Sequence, residues 1–233
     1  MTGGATAQPD GAAARTRVRR LPHKQVHDVA ARDALLRDAL VAHVGVGLGT
    51  QPLVLPLAVA PDRGDGEDGD GPFERLLLHG STGSRLFRAL AEGAPACVTV
   101  TALDGLVLAR SRFESSMRYR CLVALGRCEV LTGRAAERGL EVLTTHLLPG
   151  RTEARPPSRK ELAATRVLAL PLSEWSLKVS DDGPEDDPAD LDLPVWAGVV
   201  PLHHVWGEPE PAPDLPPGLP VPPYLATWPG GRT

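Results

Sequence analysis

His79-Gly80-Ser81-Thr82-Gly83-Ser84-Arg85 gathers, in one short hinge, the groups of this chain best suited to chemistry. An apolar run, Leu76 to Leu78, precedes it, and apolar residues at helical spacing, Leu86, Phe87 and Leu90, follow it. A strand that turns into a helix at such a hinge exposes the first helical amides. Those amides and the aligned peptide dipoles attract an anion. Gly80 and Gly83 let a ligand approach the backbone closely. Ser81, Thr82 and Ser84 add hydroxyl donors, and Arg85 adds a guanidinium fork that matches phosphate oxygens. Neither a GxxxxGK[ST] nor a GxGxxG loop is present. The rival reading is that Ser81 or Thr82 caps the helix while Arg85 is solvated, and on residue chemistry alone capping stands first. His79 is a candidate to hydrogen-bond a ligand or to move a proton near neutral pH; a buried, hydrogen-bonded histidine without chemistry is the alternative.

The elements that must position this hinge follow from periodicity. Asp28 is placed to cap a helix carrying Val29, Leu35, Leu36 and Leu40 on one face. HVGVGL and LVLPLAVA, joined by GTQP, predict two strands and a turn. FERLLLH predicts a strand, and TGSRLFRALAEG a helix stopped at Gly93. In PACVTVTALDGLVLARS two alternating runs flank Asp104-Gly105, which predicts a hairpin with a type I′ turn there. YRCLVALGRCEVLT predicts a further strand with a bulge or bend at Gly126. RAAERGLEVLTTHLL predicts an amphipathic helix ended by Pro149-Gly150. Ser158 and Glu161 have the spacing of a capping box at the start of a short helix. VLALPL, EWSLKVS and VWAGVVPL are three more strands. Hairpins dominate and strand-helix alternation is absent, so the fold class is mainly β, a barrel or sandwich with a few short helices, and not a doubly wound sheet.

Residues 1–17 lack periodicity and are expected to form a disordered tail, 18–207 the domain, and 208–233 a proline-rich extension packed on it through Leu219, Val221 and Tyr224. The apolar content of 42% allows a core, which Val, Leu and Ala must fill because aromatics reach only 4%. A net charge of −4 with mixed signs gives no electrostatic case for nucleic acid or an anionic membrane. No apolar run approaches the ~20 residues of a membrane span. The N-terminus lacks the apolar stretch of a secretory signal, so the cytoplasm is the expected location. Cys97, Cys121 and Cys128 read as buried small hydrophobes, not a disulfide framework. PDRGDGEDGDGP fails the EF-hand pattern because Gly64 and Gly66 occupy ligand positions. His203 and His204 point to opposite faces of a strand, and no histidine or cysteine spacing matches a zinc site, so no metal is expected.

In order along the chain, LLLHGSTGSRLFRAL, GAPACVTVTALDGLVLARS and SMRYRCLVALGR resemble the pyridoxamine 5′-phosphate oxidase-like, FMN-binding split-barrel family. The branch they are most similar to holds flavin-nucleotide-binding proteins related to nitroimidazole-resistance proteins. HLLPGR, RPPSRKELAAT, LPVWAGVVPL and PDLPPGLPVPPY extend the resemblance from Val18 to Tyr224. The shared order of motifs reverses the ranking at the hinge. The resemblance implies a six-stranded antiparallel split β-barrel that forms a homodimer, with FMN at the interface touched by both chains. It implies Ser84 and Arg85 at the FMN phosphate, His79, Gly80 and Ser81 along the ribityl chain and ring edge, Thr82 among the cofactor-binding residues, and Thr99, Val100 and Thr101 lining the isoalloxazine. Leu55, Pro56, Ser116, Arg120, Lys178 and Trp196 fall in segments similar to pocket-lining parts of the family. The implied activity is FMN-dependent oxidoreduction, from a nicotinamide-type donor to a small organic substrate such as a nitro compound or a natural-product intermediate. A haem-binding variant with His79 as ligand, or a non-catalytic flavin-binding protein, are the alternatives. Where the family tends to show His-His-Ser-Met-Asn-Tyr-Arg, this chain has Glu114-Ser115-Ser116-Met117-Arg118-Tyr119-Arg120. That departure either alters the substrate or cofactor, or leaves Glu114 and Arg118 as a surface pair.

Overall fold

A computed structural model of the chain describes residues 14–64 and 71–230. Strands β1 (Gln25–Val26), β2 (Val41–Leu48), β3 (Gln51–Asp62), β4 (Arg75–Ser81), β5 (Pro95–Leu108), β6 (Ser116–Arg127), β7 (Glu129–Leu131), β8 (Thr165–Pro171), β9 (Trp175–Ser180) and β10 (Gly198–Pro201) form one antiparallel sheet. Helices α1 (Val29–Asp38), α2 (Arg85–Ala91), α3 (Gly133–Leu147) and α4 (Arg159–Ala164) flank it. The strand order is β1-β9-β6-β5-β2-β3-β4-β8-β7, with β10 added to the outer half of β5. The mainly β class and the few helices are as expected, but the sheet has 10 strands instead of six and its hydrogen-bonded path does not close. Instead, β6 and β8 meet through side chains: a Cβ at Gly126 would lie 3.1 Å from Leu170 Cδ1. Gly126 is therefore a close-packing position, and pairing with Ala96 continues through it without the predicted bulge.

The alternation of β2 follows from one buried face: Ala42, Val44 and Val46 enter the core, while Val41, His43, Gly45 and Gly47 face outward. Leu76, Leu77 and Leu78 of β4 are all fully buried because both faces of that strand are covered. Leu76 and Leu78 join the barrel core, whereas Leu77 packs with Leu143 of α3 and Val167 and Ala169 of β8. Asp62 fastens this second layer, accepting Arg75 Nε at 2.6 Å and Arg138 Nη2 at 2.8 Å. Burial opposes its ionisation, but the hydrogen bonds from Arg138 and Arg75 outweigh that and hold its carboxyl below 3.8. On the other side, buried Arg32 donates to Asp33 and to the Phe73 carbonyl, and Asp33 accepts the Phe73 amide, which ties α1 to the entry of β4.

Several expectations change here. Asp104-Gly105 is a β-bulge within one long strand, not a hairpin turn: the register with β6 shifts between Leu103 and Gly105. Glycine is required there because a Cβ would come within 2.8 Å of the Val200 carbonyl oxygen of β10. The turn falls beyond Leu108, where Ser115 Oγ accepts the Ala109 amide. Helix α1 starts at the Asp28 cap as predicted and buries Leu35 and Leu36, but it stops at Asp38, so Leu40 lies outside it and Val29 is 39% exposed. The capping box of Ser158 and Glu161 is present. Residues 1–13 lie outside the described part; residues 14–17 are not a loose tail, since Arg15 pairs with Glu174 and Thr16 is buried. In the proline-rich extension Leu219 and Val221 are 59% and 57% exposed, and the anchors are Tyr224, which bonds Glu153, and Trp228, which bonds the Pro149 carbonyl. Most of the acidic loop, residues 65–70, falls outside the described residues. Cys97 and Cys121 are half-buried and only Cys128 is buried. Among the described residues no helix is long and apolar enough to cross a membrane, and no cluster of three or more His, Cys, Asp or Glu side chains could hold a metal ion.

Candidate functional site

The hinge forms where β4 leaves the sheet. Gly80 makes the departure possible, because Phe87 of α2 folds back over it: a Cβ at Gly80 would stand 2.3 Å from Phe87 Cε2. Phe87 is 2% exposed and belongs to the barrel core, so it cannot move aside cheaply. Gly80→Ala is expected to destabilise the protein by about 1–3 kcal/mol through this overpacking, read as a lower urea midpoint at unchanged slope.

Three amides of the hinge are spent within the protein. Thr82 donates to the Ala164 carbonyl at 3.0 Å, Ser84 to the Ser81 carbonyl at 3.0 Å, and Gly83 to Ser81 Oγ at 3.2 Å. Ser84, not Ser81 or Thr82, is the N-cap of α2, and its side chain makes no capping bond. The capping explanation of these hydroxyls therefore fails, and the amides of Thr82, Gly83 and Ser84 are closed to an anion. What remains available are the Ser84 hydroxyl and the exposed Arg85 guanidinium, which makes no hydrogen bond or ion pair among the described residues. One turn earlier along the strand, His79 is half-buried, and its Nδ1 is buried without a partner. Burial lowers its pKa below 6.5, so the imidazole is neutral at pH 7.

Register shows which other candidates share this face. His79 pairs with Val167 and projects to the same side as Leu77, away from the barrel interior. On β2, His43 pairs with Thr99 of β5 and with Pro56 of β3, so these three lie in one line across the outer face. The next line holds Thr101, Cys121 and Lys178. Pro56, Thr99, Thr101 and Lys178 thus point outward from the sheet, as His79 and Ser81 do, with Pro56 and Thr99 on the strands nearer β4 and Lys178 five strands away from it. Lys178 Nζ is engaged with the Arg20 carbonyl at 3.3 Å.

The remaining candidates separate. Val100 points into the core at 3% exposure and offers a cofactor only its main chain. Leu55 alternates with Pro56 and is 37% exposed. Arg120 lies on the opposite face from Cys121, where it holds Asp104 with two bonds of 2.9 and 3.0 Å and reaches Asp38 at 3.8 Å. Ser116 and Trp196 sit at the far end of β5 and β6, about 20 Å along the strand from Thr101. Glu114 and Arg118 do not pair; Arg118 Nε donates to the Asp182 carbonyl.

Sequence reasoning missed a trough of about 630 Å³ on the same outer face, floored by Gly45 and Gly47 and bordered by His43, Cys97, Thr99 and Arg127. The hinge residues do not line it; Thr99 is the link between the two. Its signal was legible: two glycines at alternate positions of a strand, in VGVGL, open one face of the sheet.

The chain matches the pyridoxamine 5′-phosphate oxidase family over residues 28–179. No match was found among curated proteins. Among solved structures, an FAD- and haem-binding protein from Mycobacterium smegmatis is 44% identical with a TM-score of 0.80, covering 87% of this chain and 96% of its own. The flavocytochrome Anf3 from Azotobacter vinelandii is 34% identical with a TM-score of 0.83, covering 94% of this chain and 98% of its own. A protein from Bacteroides thetaiotaomicron described as a 5-nitroimidazole antibiotic resistance protein shares the fold at 17% identity and a TM-score of 0.53, covering 66% of this chain and 86% of its own.

Proposed function

The chain belongs to the pyridoxamine 5′-phosphate oxidase family, and we propose from that premise that it is a homodimeric, flavin-dependent oxidoreductase. In this reading the flavin is FMN, its electrons come from a nicotinamide-type donor, and the acceptor is a small organic molecule. When bound, a flavin supplies electron transfer in single or paired steps. The protein's part is binding and orientation. Ser84 and Arg85 hold the phosphate, His79 and Ser81 follow the ribityl chain, and Pro56, Thr99 and Thr101 border the ring. The observation that carries the reading is the outward face on which Thr99, His43 and Pro56 stand in line beside a hinge whose Ser84 hydroxyl and Arg85 have no partner among the described residues.

The homodimer rests on exposed apolar side chains at the far end of β5, β6 and β10. Leu106, Met117, Trp196 and Val200 are 52%, 47%, 65% and 48% exposed, more than a solvated sheet tip carries singly. A second copy covers them, and it brings Ser116 and Trp196 close to another chain.

A visible absorption spectrum of the purified protein tests this reading. The expected result is a flavin band, present on purification or gained on adding FMN. Colourless protein that takes up no flavin overturns it.

A specific observation favours a second reading, in which His79 ligates haem. Its ring is half-buried, neutral at pH 7, and holds a buried Nδ1 with no partner, which is the protonation state an iron ligand needs. The relative from Mycobacterium smegmatis is named for both FAD and haem, so the two readings are compatible in one protein.

A further inference from the structure

The Gly45-Gly47 trough has an electrostatic and a geometric polarity that the flavin reading leaves unused. At one end stands Arg127, paired in register with Pro95. Arg127 is exposed and makes no hydrogen bond or ion pair among the described residues. Arg15 lines the same trough, but Glu174 already neutralises it at 2.5 Å. No carboxylate borders the trough among the described residues. At the other end stand His43 and Thr99, four residues further along the sheet, about 13 Å away.

Between these ends the floor is flat because two outward positions lack side chains. A Cβ at Gly45 would touch the Cys97 carbonyl oxygen at 3.4 Å, and one at Gly47 would meet nothing within 4 Å. The walls are Val54, which pairs with Gly45, and Leu125, which pairs with Cys97. Burial, and then the neighbouring Cys121, push the Cys97 thiol up, so it stays neutral and adds no charge to the wall.

We infer that this trough binds a flat aromatic monocarboxylate, its ring on the glycine floor between Val54 and Leu125 and its carboxylate on Arg127. A planar body suits a slot whose floor is two glycines beside the small side chains of Cys97 and Pro95. A guanidinium without a partner beside an apolar slot selects a carboxylate at the end of that body. The far end of such a ligand reaches Thr99, so, resting on the proposed flavin site, the acid binds next to the flavin ring.

The test uses the protein as purified, with 2-naphthoate and its neutral analogue 2-naphthamide as probes and calorimetry as the readout. The acid is expected to bind about tenfold or more tightly than the amide, the factor a charge-assisted contact gives. Arg127→Gln is expected to erase that preference. Gly47→Leu, whose Cβ would meet nothing within 4 Å and whose side chain then occupies the trough, is expected to weaken both probes more than tenfold. Flavin absorbance is expected to be unchanged in both variants. Equal binding of acid and amide, or Gly47→Leu protein that binds the acid like wild type, overturns the inference. Flavin-loaded protein that ignores both probes overturns it while leaving the flavin site standing. Protein that prefers the acid but takes up no flavin overturns the flavin site and leaves the trough.

Discussion

Replacing Arg85 with alanine is expected to weaken flavin binding by about 10- to 150-fold and to leave the fold as stable as wild type. The affinity loss is that of one charge-assisted contact to a phosphate, about 1.5–3 kcal/mol. The unchanged stability follows from what Arg85 does in the protein: its side chain is exposed and has no hydrogen bond or ion pair among the described residues. Surface substitutions of that kind stay within about 0.5 kcal/mol. Ser84→Ala sharpens the test. A serine at an N-cap ordinarily contributes about 1 kcal/mol to stability through its side chain, but Ser84 makes no such bond. Its replacement is therefore expected to lower flavin affinity by a smaller factor and again to spare stability. Ser81 behaves differently, because its Oγ holds the Gly83 amide. Ser81→Ala perturbs the hinge itself. Fluorescence titration with FMN and urea denaturation of the three variants separate a phosphate contact from a capping role. Affinity that survives Arg85→Ala removes the phosphate from this hinge.

Most strands and the hinge were legible in the sequence because their causes are local. Alternation of Ala42, Val44 and Val46 with His43 and Gly45 fixes β2 wherever one face is buried. The capping box at Ser158 and Glu161 needs only four residues to form. What could not be read depended on distant chain. Asp104-Gly105 has the composition of a tight turn, yet β10 lies against it and the long β5–β6 ladder continues past it, so tertiary pairing overrides the local signal. Gly126 looked like a bulge because nothing local reveals that Leu170 packs on it. Arg120 looked like a pocket residue because its partners, Asp38 and Asp104, are supplied by a helix end and a bulge. The site shows the same division. The hinge was identified as one stretch of sequence, whereas its alignment with Pro56, Thr99 and the trough exists only in the register of four strands. His43 and Arg127 carry no motif, and their role comes from where β2 and β6 are set.

His79→Ala separates the flavin and haem readings more sharply than any other single change. If His79 ligates haem, wild-type protein shows a Soret band, and the variant loses it entirely because a small apolar side chain offers iron no ligand. The flavin band persists in the variant, since Ser84 and Arg85 are untouched. If His79 only borders the flavin, neither protein shows a Soret band and the change in flavin affinity is a few-fold, the size of one neutral hydrogen bond. The pH profile adds an independent sign. Burial lowers the folded-state pKa of His79 below 6.5, so the folded protein resists protonating this ring at a pH where an unfolded histidine is already charged. Protonation competes with ligation for the same ring electrons, so a His79-ligated haem persists as pH falls through 6.5 and is released only further below it. A Soret band that titrates away above pH 6.5, or one that survives in His79→Ala, assigns the iron to another residue. The buried Nδ1 makes the same substitution informative about stability. Removing an unpartnered buried polar atom relieves a desolvation cost, so His79→Ala loses less stability than the half-buried ring volume alone implies, measured by urea denaturation of the cofactor-free protein.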